Sequence, residues 1–428
     1  MDEYEKTARA LLDFIARSPT AYHTAENLAA LYAQNGFVPL REDAPWSLAP
    51  GGRYFVRRGG AALLAFVLPA AGAYEGVHLV ASHSDTPAFK LKPNPECAAE
   101  SAVVLNTEGY GSMLCAPWFD RPLGIAGRAV VRTDGALETR CVDFGRDMVL
   151  LASLAIHMDR DANKGHAIQL QKELLPLWAE AGCTRTLQSA LAEQLCVAEA
   201  DILDSELFLY CRTPGSIWGA QNAFLSAPRL DDTLCTFAAA GALLDASHPT
   251  RLCMAAVFGA EEVGSGTRDG ALSTLLADTL RRIALALGMR EEQQYIALAK
   301  SCALSADNGH AVHPNWPEKA DRTNRPHLGG GVLLKYAANQ KYTTDAETGA
   351  LVRALCAEND IPLQVFANHS DVPGGSTLGN LSVRQVPLPT ADIGAAQLAM
   401  HSPYETCSVR DALQLQRLMH AFYGTQLA

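Results

Sequence analysis

The chain has 428 residues, more than one hydrophobic core usually fills, so two domains are expected. Its 48% apolar content is that of an ordinary folded protein, and a net charge of −11 with scattered Lys and Arg argues against nucleic-acid or anionic-membrane partners. No apolar run is long enough to span a bilayer, and the start Met1-Asp2-Glu3-Tyr4-Glu5-Lys6 lacks the basic region and apolar core of a secretory signal. Eleven cysteines without a Cys-x-x-Cys pair speak against a zinc ribbon or a thioredoxin-type site. They fit reduced thiols in the cytoplasm, many of them acting as small core residues.

Asp2 is placed to cap a helix running to about Arg17, and Pro19 to Asn35 reads as a second helix stopped by Gly36. Tyr54 to Val56 and Ala61 to Leu68 read as strands joined at Gly59-Gly60. Val77 to Ser82 reads as another, leading into His83-Ser84-Asp85-Thr86-Pro87. In a His-x-Asp at a strand end, His83 can bind a metal through one ring nitrogen while Asp85 accepts a hydrogen bond from the other. A loop histidine satisfied by its neighbour is the plainer alternative. From about 93 to 204 the texture changes: short β-rich pieces such as Ala129 to Arg132, a turn signal at Asp134-Gly135, and a helical pattern over Glu173 to Ala181. This segment reads as an insertion; it holds His157 and His166 but no metal cluster.

Asp231-Asp232 precedes the apolar helix pattern Leu234 to Leu244. An Asp there most often caps the helix, and two in succession let one cap while the other binds metal. Leu252 to Phe258 reads as a fully buried strand that opens into Gly259-Ala260-Glu261-Glu262-Val263-Gly264-Ser265-Gly266. Adjacent Glu residues on a rigid turn diverge, so Glu262 can face a cation while Glu261 reaches, as general base, the water that cation polarises. A solvated surface pair is the alternative. A helix over Leu272 to Leu287 is expected next, then a buried strand over Ile296 to Ser305 leading to Asp307, with His310 and His313 shaping the pocket or the fold. Gly329-Gly330-Gly331 lacks the Gly-Lys-Ser/Thr of a phosphate loop, so a nucleotide site is excluded there. A strand over Val332 to Tyr336 and a strand-like Arg384 to Leu388 follow, and His401 sits in a loop before an amphipathic helix over Val409 to Tyr423.

His83, Asp231, Glu262, Asp307 and His401 together supply two imidazoles and three carboxylates near element ends. Such a set suits two divalent ions about 3.5 to 4 Å apart that share one carboxylate. The motifs around these residues, in the same order, resemble the M18 family of metallo-aminopeptidases, which includes aspartyl aminopeptidase. They include Ser18-Pro19-Thr20-Ala21-Tyr22-His23, His83-Ser84-Asp85-Thr86-Pro87, Trp118-Phe119-Asp120-Arg121, Ala227-Pro228-Arg229-Leu230-Asp231, Glu261-Glu262-Val263-Gly264-Ser265, Ser305-Ala306-Asp307 and Ala399-Met400-His401-Ser402.

The resemblance implies an α/β fold: a zinc-peptidase-type catalytic domain with a central mixed sheet (1–92 and 205–428), interrupted by a β-rich dimerisation domain (93–204). It also implies that Asp231 bridges two divalent metal ions, zinc first with cobalt or manganese as alternatives. His83 and Asp307 then complete one site, and Glu262 and His401 the other. Glu261 matches the general base and Asp85 the partner of His83. Asp232 stands where relatives usually carry Asn and is left as support or cap. Members assemble as homododecamers built from dimers, in which a histidine from one subunit's inserted domain completes a neighbour's active site, and His157 matches it. Peptides are the implied substrates, their N-terminal residues removed by a hydroxide held between the metals. Acidic N-terminal residues would need a cation in the pocket, for which Lys335 and Arg325 are candidates. Two other enzyme readings share this metal chemistry, an amidohydrolase on N-acyl amino acids and a dinuclear carboxypeptidase, and a third reading is a catalytically inactive self-assembling scaffold that retains the fold.

Overall fold

A computed structural model describes residues 2–372 and 374–426. Packing divides the chain into two compact units. The first comprises the chain up to Asp85, Gly215–Met400 and the chain from Glu405 on; the second comprises Thr86–Pro214 and His401–Tyr404.

The first unit is built on a mixed nine-stranded sheet. At its centre three parallel strands lie side by side, Arg251–Phe258, Gly76–His83 and Cys302–Ala306. Nearly every residue of these three is buried, so they read as continuous apolar runs, as strands covered on both faces do. Alternation within the runs separates two cores. Leu63, Ala65, Cys253, Ala255 and Val257 face one core, with residues of the helices Glu3–Ala16, Ala21–Gln34, Leu230–Leu244, Ala346–Glu358 and Asp411–Gly424. Leu64, Phe66, Met254, Ala256 and Phe258 face the other, with residues of Leu275–Ala286. The sheet's outer strands are Val38–Leu40, Arg53–Arg58 and Ala62–Val67 on one side, and Thr390–Gly394, Val332–Tyr336 and Leu363–Ala367 on the other. A five-stranded sheet accompanies it, ordered Ser216–Trp218, Phe224–Ala227, Glu405–Ser408, Ala396–Leu398 and Gly309–His310.

The second unit is a six-stranded antiparallel sheet around its own core, which includes Phe89, Leu105, Trp118, Ile125, Val131 and Leu209. Its hairpin at Asp134-Gly135 has both residues left-handed, with φ of 50° and 80°, as a two-residue turn between twisted strands requires. Among the described residues no helix is long and apolar enough to cross a membrane. All eleven cysteines are free and six are buried, so they serve as small apolar side chains there.

Three elements differ from expectation. The strand expected over Ile296 to Ser305 is the helix Glu291–Ala299 followed by the strand Cys302–Ala306. The run Ile296-Ala297-Leu298-Ala299 suits helix as well as strand, and acidic Glu291 and Glu292 favour a helix start. Arg384 to Leu388 is a turn, and the strand lies beyond it at Thr390–Gly394. Val386 and Leu388 are apolar because they pack beneath the sheet, while Pro387 and Pro389 disfavour strand pairing. The helix expected over Glu173 to Ala181 stops at Glu173, and Leu177–Glu180 is an edge strand. Pro176 intervenes, and proline does not continue a helix.

Gly394 ends its strand against the backbone that carries Asp307: a Cβ there would stand 1.8 Å from the Asp307 carbonyl oxygen. Main chain cannot swing aside as a side-chain tip can. Gly394→Ala should therefore cost about 1 to 3 kcal/mol, the usual penalty for overpacking, read as a lowered denaturation midpoint. An unchanged midpoint would show that this contact relaxes freely.

Candidate metal centre

The three central parallel strands end together: Phe258 pairs with His83, and Ser305 with Ala81. His83, the Glu261-Glu262 turn and Asp307 therefore emerge along one edge of the sheet, the carboxyl edge where open α/β sheets place their sites. The helix Leu230–Leu244 supplies Asp231 and Asp232 from its first turn, where neither residue has helical φ/ψ and the peptide between them is cis. One ligand atom each from His83, Asp231, Asp232 and Asp307 lies within 4.8 Å of all the others, and His83 forms a second such group with Glu261 and Glu262.

Main-chain groups hold His83, Asp85 and Asp232. His83 donates its backbone N–H to Asp232 Oδ2 at 3.2 Å, and its carbonyl accepts from Thr236 Oγ1 at 2.8 Å. Its Nδ1 lies 3.0 Å from the Asp85 carbonyl oxygen and 3.6 Å from the Asp85 carboxylate, leaving Nε2 turned to Asp231 Oδ1 at 3.7 Å. The Asp85 carboxylate accepts from the backbone N–H of Glu261 at 3.1 Å and of Glu262 at 3.2 Å. Those two amides open a 3-10 turn, Glu261–Val263, and have no acceptor inside it. Ala260 before the turn and Gly264 after it are both left-handed, which closes the loop and fixes the direction of the two glutamates. Asp307 lies 3.5 Å from the ammonium of Lys335, itself fully buried and donating to the Asn308 carbonyl at 3.0 Å.

Burial and mutual repulsion govern the protons here. Burial pushes the Glu261 carboxyl up to about 7, with His83 opposing and Asp307, Asp85 and Asp231 adding to the rise. Burial pushes Asp307 up to about 6 against the pull of Lys335. Asp232 and Glu262 are raised well above the carboxylate range, again first by burial. Burial disfavours charge on His83, but Asp232 and the other carboxylates outweigh it and hold the imidazole's affinity for its proton well above the usual range. Protons gathered in this way are what a divalent cation displaces. The donor set fits such a cation: one imidazole, several carboxylates, and Asp232 Oδ1, which is buried with no hydrogen-bond partner among the described residues.

Within the first unit the structure brings together the expected site residues His83, Asp85, Asp231, Glu261, Glu262 and Asp307. His401 lies between the strands Ala396–Leu398 and Glu405–Ser408 with a left-handed φ of 64°, and its segment is grouped with the second unit. His157 is in the second unit, exposed in a loop beside Leu154, Ile156 and Met158, which are 59%, 48% and 73% exposed. Arg325 is tied into its own loop by the carbonyls of Asp321 and Pro317. His313 packs on the Trp316 ring, and His310 is exposed 6.4 Å from the Phe366 ring.

Two features escaped the sequence. Asp232 reads as support or cap; it supports His83 by accepting its amide, and its carboxylate also joins the cluster. Lys335 reads as a substrate-facing cation, yet it is the buried partner of Asp307. The isolated lysine within an apolar strand, Val332–Tyr336, was the available signal for the second.

A family described as aminopeptidase I zinc metalloprotease (M18) matches residues 14–423. A probable M18 family aminopeptidase 2 of Clostridium acetobutylicum is 39% identical over 425 residues, covering 97% of this chain and 98% of that protein. The cryo-EM structure of the Ape4 and Nbr1 complex contains a chain of 31% identity that superposes with a TM-score of 0.94, over 98% of this chain and 86% of that one. The S. cerevisiae mApe1 dodecamer follows with a TM-score of 0.85 at 28% identity, over 99% and 97%.

Chelation should expose the charge conflict. Each raised carboxylate binds its proton more tightly in the folded chain than in the unfolded one, so its stabilising contribution is present below about pH 4 and is lost as pH rises through about 6 for Asp307 and about 7 for Glu261. A chelator-treated sample should therefore melt at a lower temperature at pH 8 than at pH 5, and added zinc should remove most of that difference. Parallel melting curves with and without zinc would refute the ion's role as counter-charge.

Proposed function

Since the chain belongs to the M18 family of zinc metallo-aminopeptidases, we propose that it removes N-terminal residues, acidic ones preferentially, from peptides with two divalent ions and Glu261 as general base. The observation that carries this is the Asp85 clamp. One carboxylate holds the amides of both Glu261 and Glu262, so a general base and a metal ligand are set at fixed directions beside His83.

In this reading His83 and Asp307 would hold one zinc, Glu262 and His401 a second, and Asp231 would serve both. The ions, when bound, polarise the attacking water and the scissile carbonyl. Glu261 takes the proton of that water and returns it to the leaving amine. Lys335 is the buried cation beside the cluster, held there as the counter-charge of Asp307. The second unit is the dimerisation domain, and in the cytoplasm copies assemble into a homododecamer; the similar S. cerevisiae mApe1 is a dodecamer. His157, on an exposed loop with an apolar flank suited to burial against another surface, reaches a neighbour's site and helps to hold the oxyanion.

A panel of aminoacyl-4-nitroanilides on zinc-loaded enzyme tests the reaction. Aspartyl and glutamyl compounds should be cleaved fastest, and an N-acetylated compound should not be cleaved at all. Glu261→Gln should retain its zinc and lose about 10² to 10⁴ in kcat, the usual contribution of a general base. Cleavage of the acetylated compound would point instead to an amidohydrolase. Near-normal turnover by Glu261→Gln would remove the base assignment.

The shared site has its own test. His157→Ala and Glu261→Gln should each be nearly inactive alone, and should regain activity when dissociated, mixed and reassembled, since some sites then combine an intact Glu261 with an intact neighbouring His157. No recovery in mixed assemblies would place His157 outside the reaction.

A further inference from the structure

Behind Asp231 lies a chain of buried polar side chains that the reaction above does not use. Asp231 donates its backbone N–H to Glu405 Oε2 at 3.0 Å. Glu405 Oε1 accepts from Gln397 Nε2 at 3.5 Å, and Gln397 Oε1 accepts from Asn308 Nδ2 at 3.1 Å. Glu405, Gln397 and Asn308 are 2%, 1% and 3% exposed, so water does not make up for a lost bond.

The direction of every bond in this chain is dictated from its two ends. At one end Asn308 Oδ1 accepts from the backbone N–H of Ala395 at 3.2 Å, while Nδ2 donates to the carbonyl of Leu230 at 3.0 Å. Backbone groups cannot exchange roles, so the Asn308 amide has one orientation. Gln397 must then offer its oxygen to Asn308 and its NH₂ to Glu405. At the other end the Asp231 amide is a donor. Residue 405 is thus met by a donor on each side and must accept at both terminal atoms, which a carboxylate does and an amide cannot.

We infer that Glu405 is a positioning residue, an acceptor at both ends that sets the backbone of Asp231 through the directional chain Asn308-Gln397-Glu405. The inference rests on the reading of Asp231 as the shared metal ligand. Two further contacts make the chain more than a local prop. Asn308 follows Asp307 directly, and its carbonyl accepts from Lys335, the partner of the Asp307 carboxylate. Gln397 and Glu405 sit on paired strands, Ala396–Leu398 and Glu405–Ser408, that bracket the turn containing His401. Asp231 and Asp307 are therefore referenced to one network.

The test is a polarity swap in the full chain. Glu405→Gln is nearly isosteric but sets a donor against either Gln397 or the Asp231 amide; Gln397→Glu sets two acceptors face to face. The double variant Gln397→Glu with Glu405→Gln restores every bond: residue 397 accepts from Asn308 and from residue 405, and residue 405 accepts from Asp231. The readouts are zinc affinity against a competing chelator and the rise in melting temperature on adding zinc to stripped protein. Each single variant should bind zinc about 10 to 100-fold more weakly, with a reduced zinc-induced rise, and the double variant should recover most of the loss. Recovery after a single variant too unstable to purify supports the inference equally.

Wild-type affinity in Glu405→Gln overturns the inference, because a space-filling role tolerates an isostere. So does a double variant no better than the singles, or a single variant whose melting falls equally with and without zinc. Wild-type protein that binds no zinc would fail the metal reading itself, a result separate from any difference among variants.

Discussion

The constraint on which this structure turns is the crowding of carboxylates at the edge of a buried sheet. Asp231, Asp232, Glu261, Glu262 and Asp307 converge on His83, with Lys335 as the buried ammonium beside Asp307. Carboxylates left to themselves in such a place would take up protons or push the loops apart. The raised proton affinities of Glu261, Asp232, Glu262 and Asp307 express that cost. Lys335 and His83 oppose it with charge, and main chain fixes the groups in place, through the two glutamate amides on Asp85, the His83 amide on Asp232 and the Asp231 amide on Glu405.

This explains why much of the site was legible from sequence and some of it was not. Residues at strand ends announce themselves locally. His83 follows an apolar run, Glu261-Glu262 sits in a glycine-flanked turn after another, and Asp307 follows a third, so each could be named without knowing which strands are neighbours. Parallel pairing of those runs puts their carboxyl ends on one edge. Errors fell where an apolar run had a different cause. Val386 and Leu388 are apolar because they lie under the sheet, and Ile296 to Ala299 belong to a helix that precedes the strand instead of to the strand.

What sequence could not give is pairing across long separations. Nothing near Lys335 in the chain points to Asp307, and nothing near Glu405 points to Asp231, 174 residues away. Such contacts follow from the order of strands and from loops that return to the same edge, and they lack a local signature of spacing. The most that composition offers is an anomaly: a lysine in an apolar strand, or a glutamate at a strand start that is 2% exposed once folded.

Asp85 shows how far one residue can join these levels. Its carbonyl receives the Nδ1 of His83, so the neighbouring backbone selects which ring nitrogen is turned toward Asp231. Its carboxylate is committed to the amides of Glu261 and Glu262, whose strand is paired in register with that of His83. A His-x-Asp motif is usually pictured as a carboxylate orienting an imidazole. Here the shorter contact to the ring comes from the carbonyl, and the carboxylate joins two strand ends into one unit. An amide in place of that carboxylate would offer one acceptor to two donors. The glutamate turn would then lose half of its anchor, although the histidine kept its nearest partner.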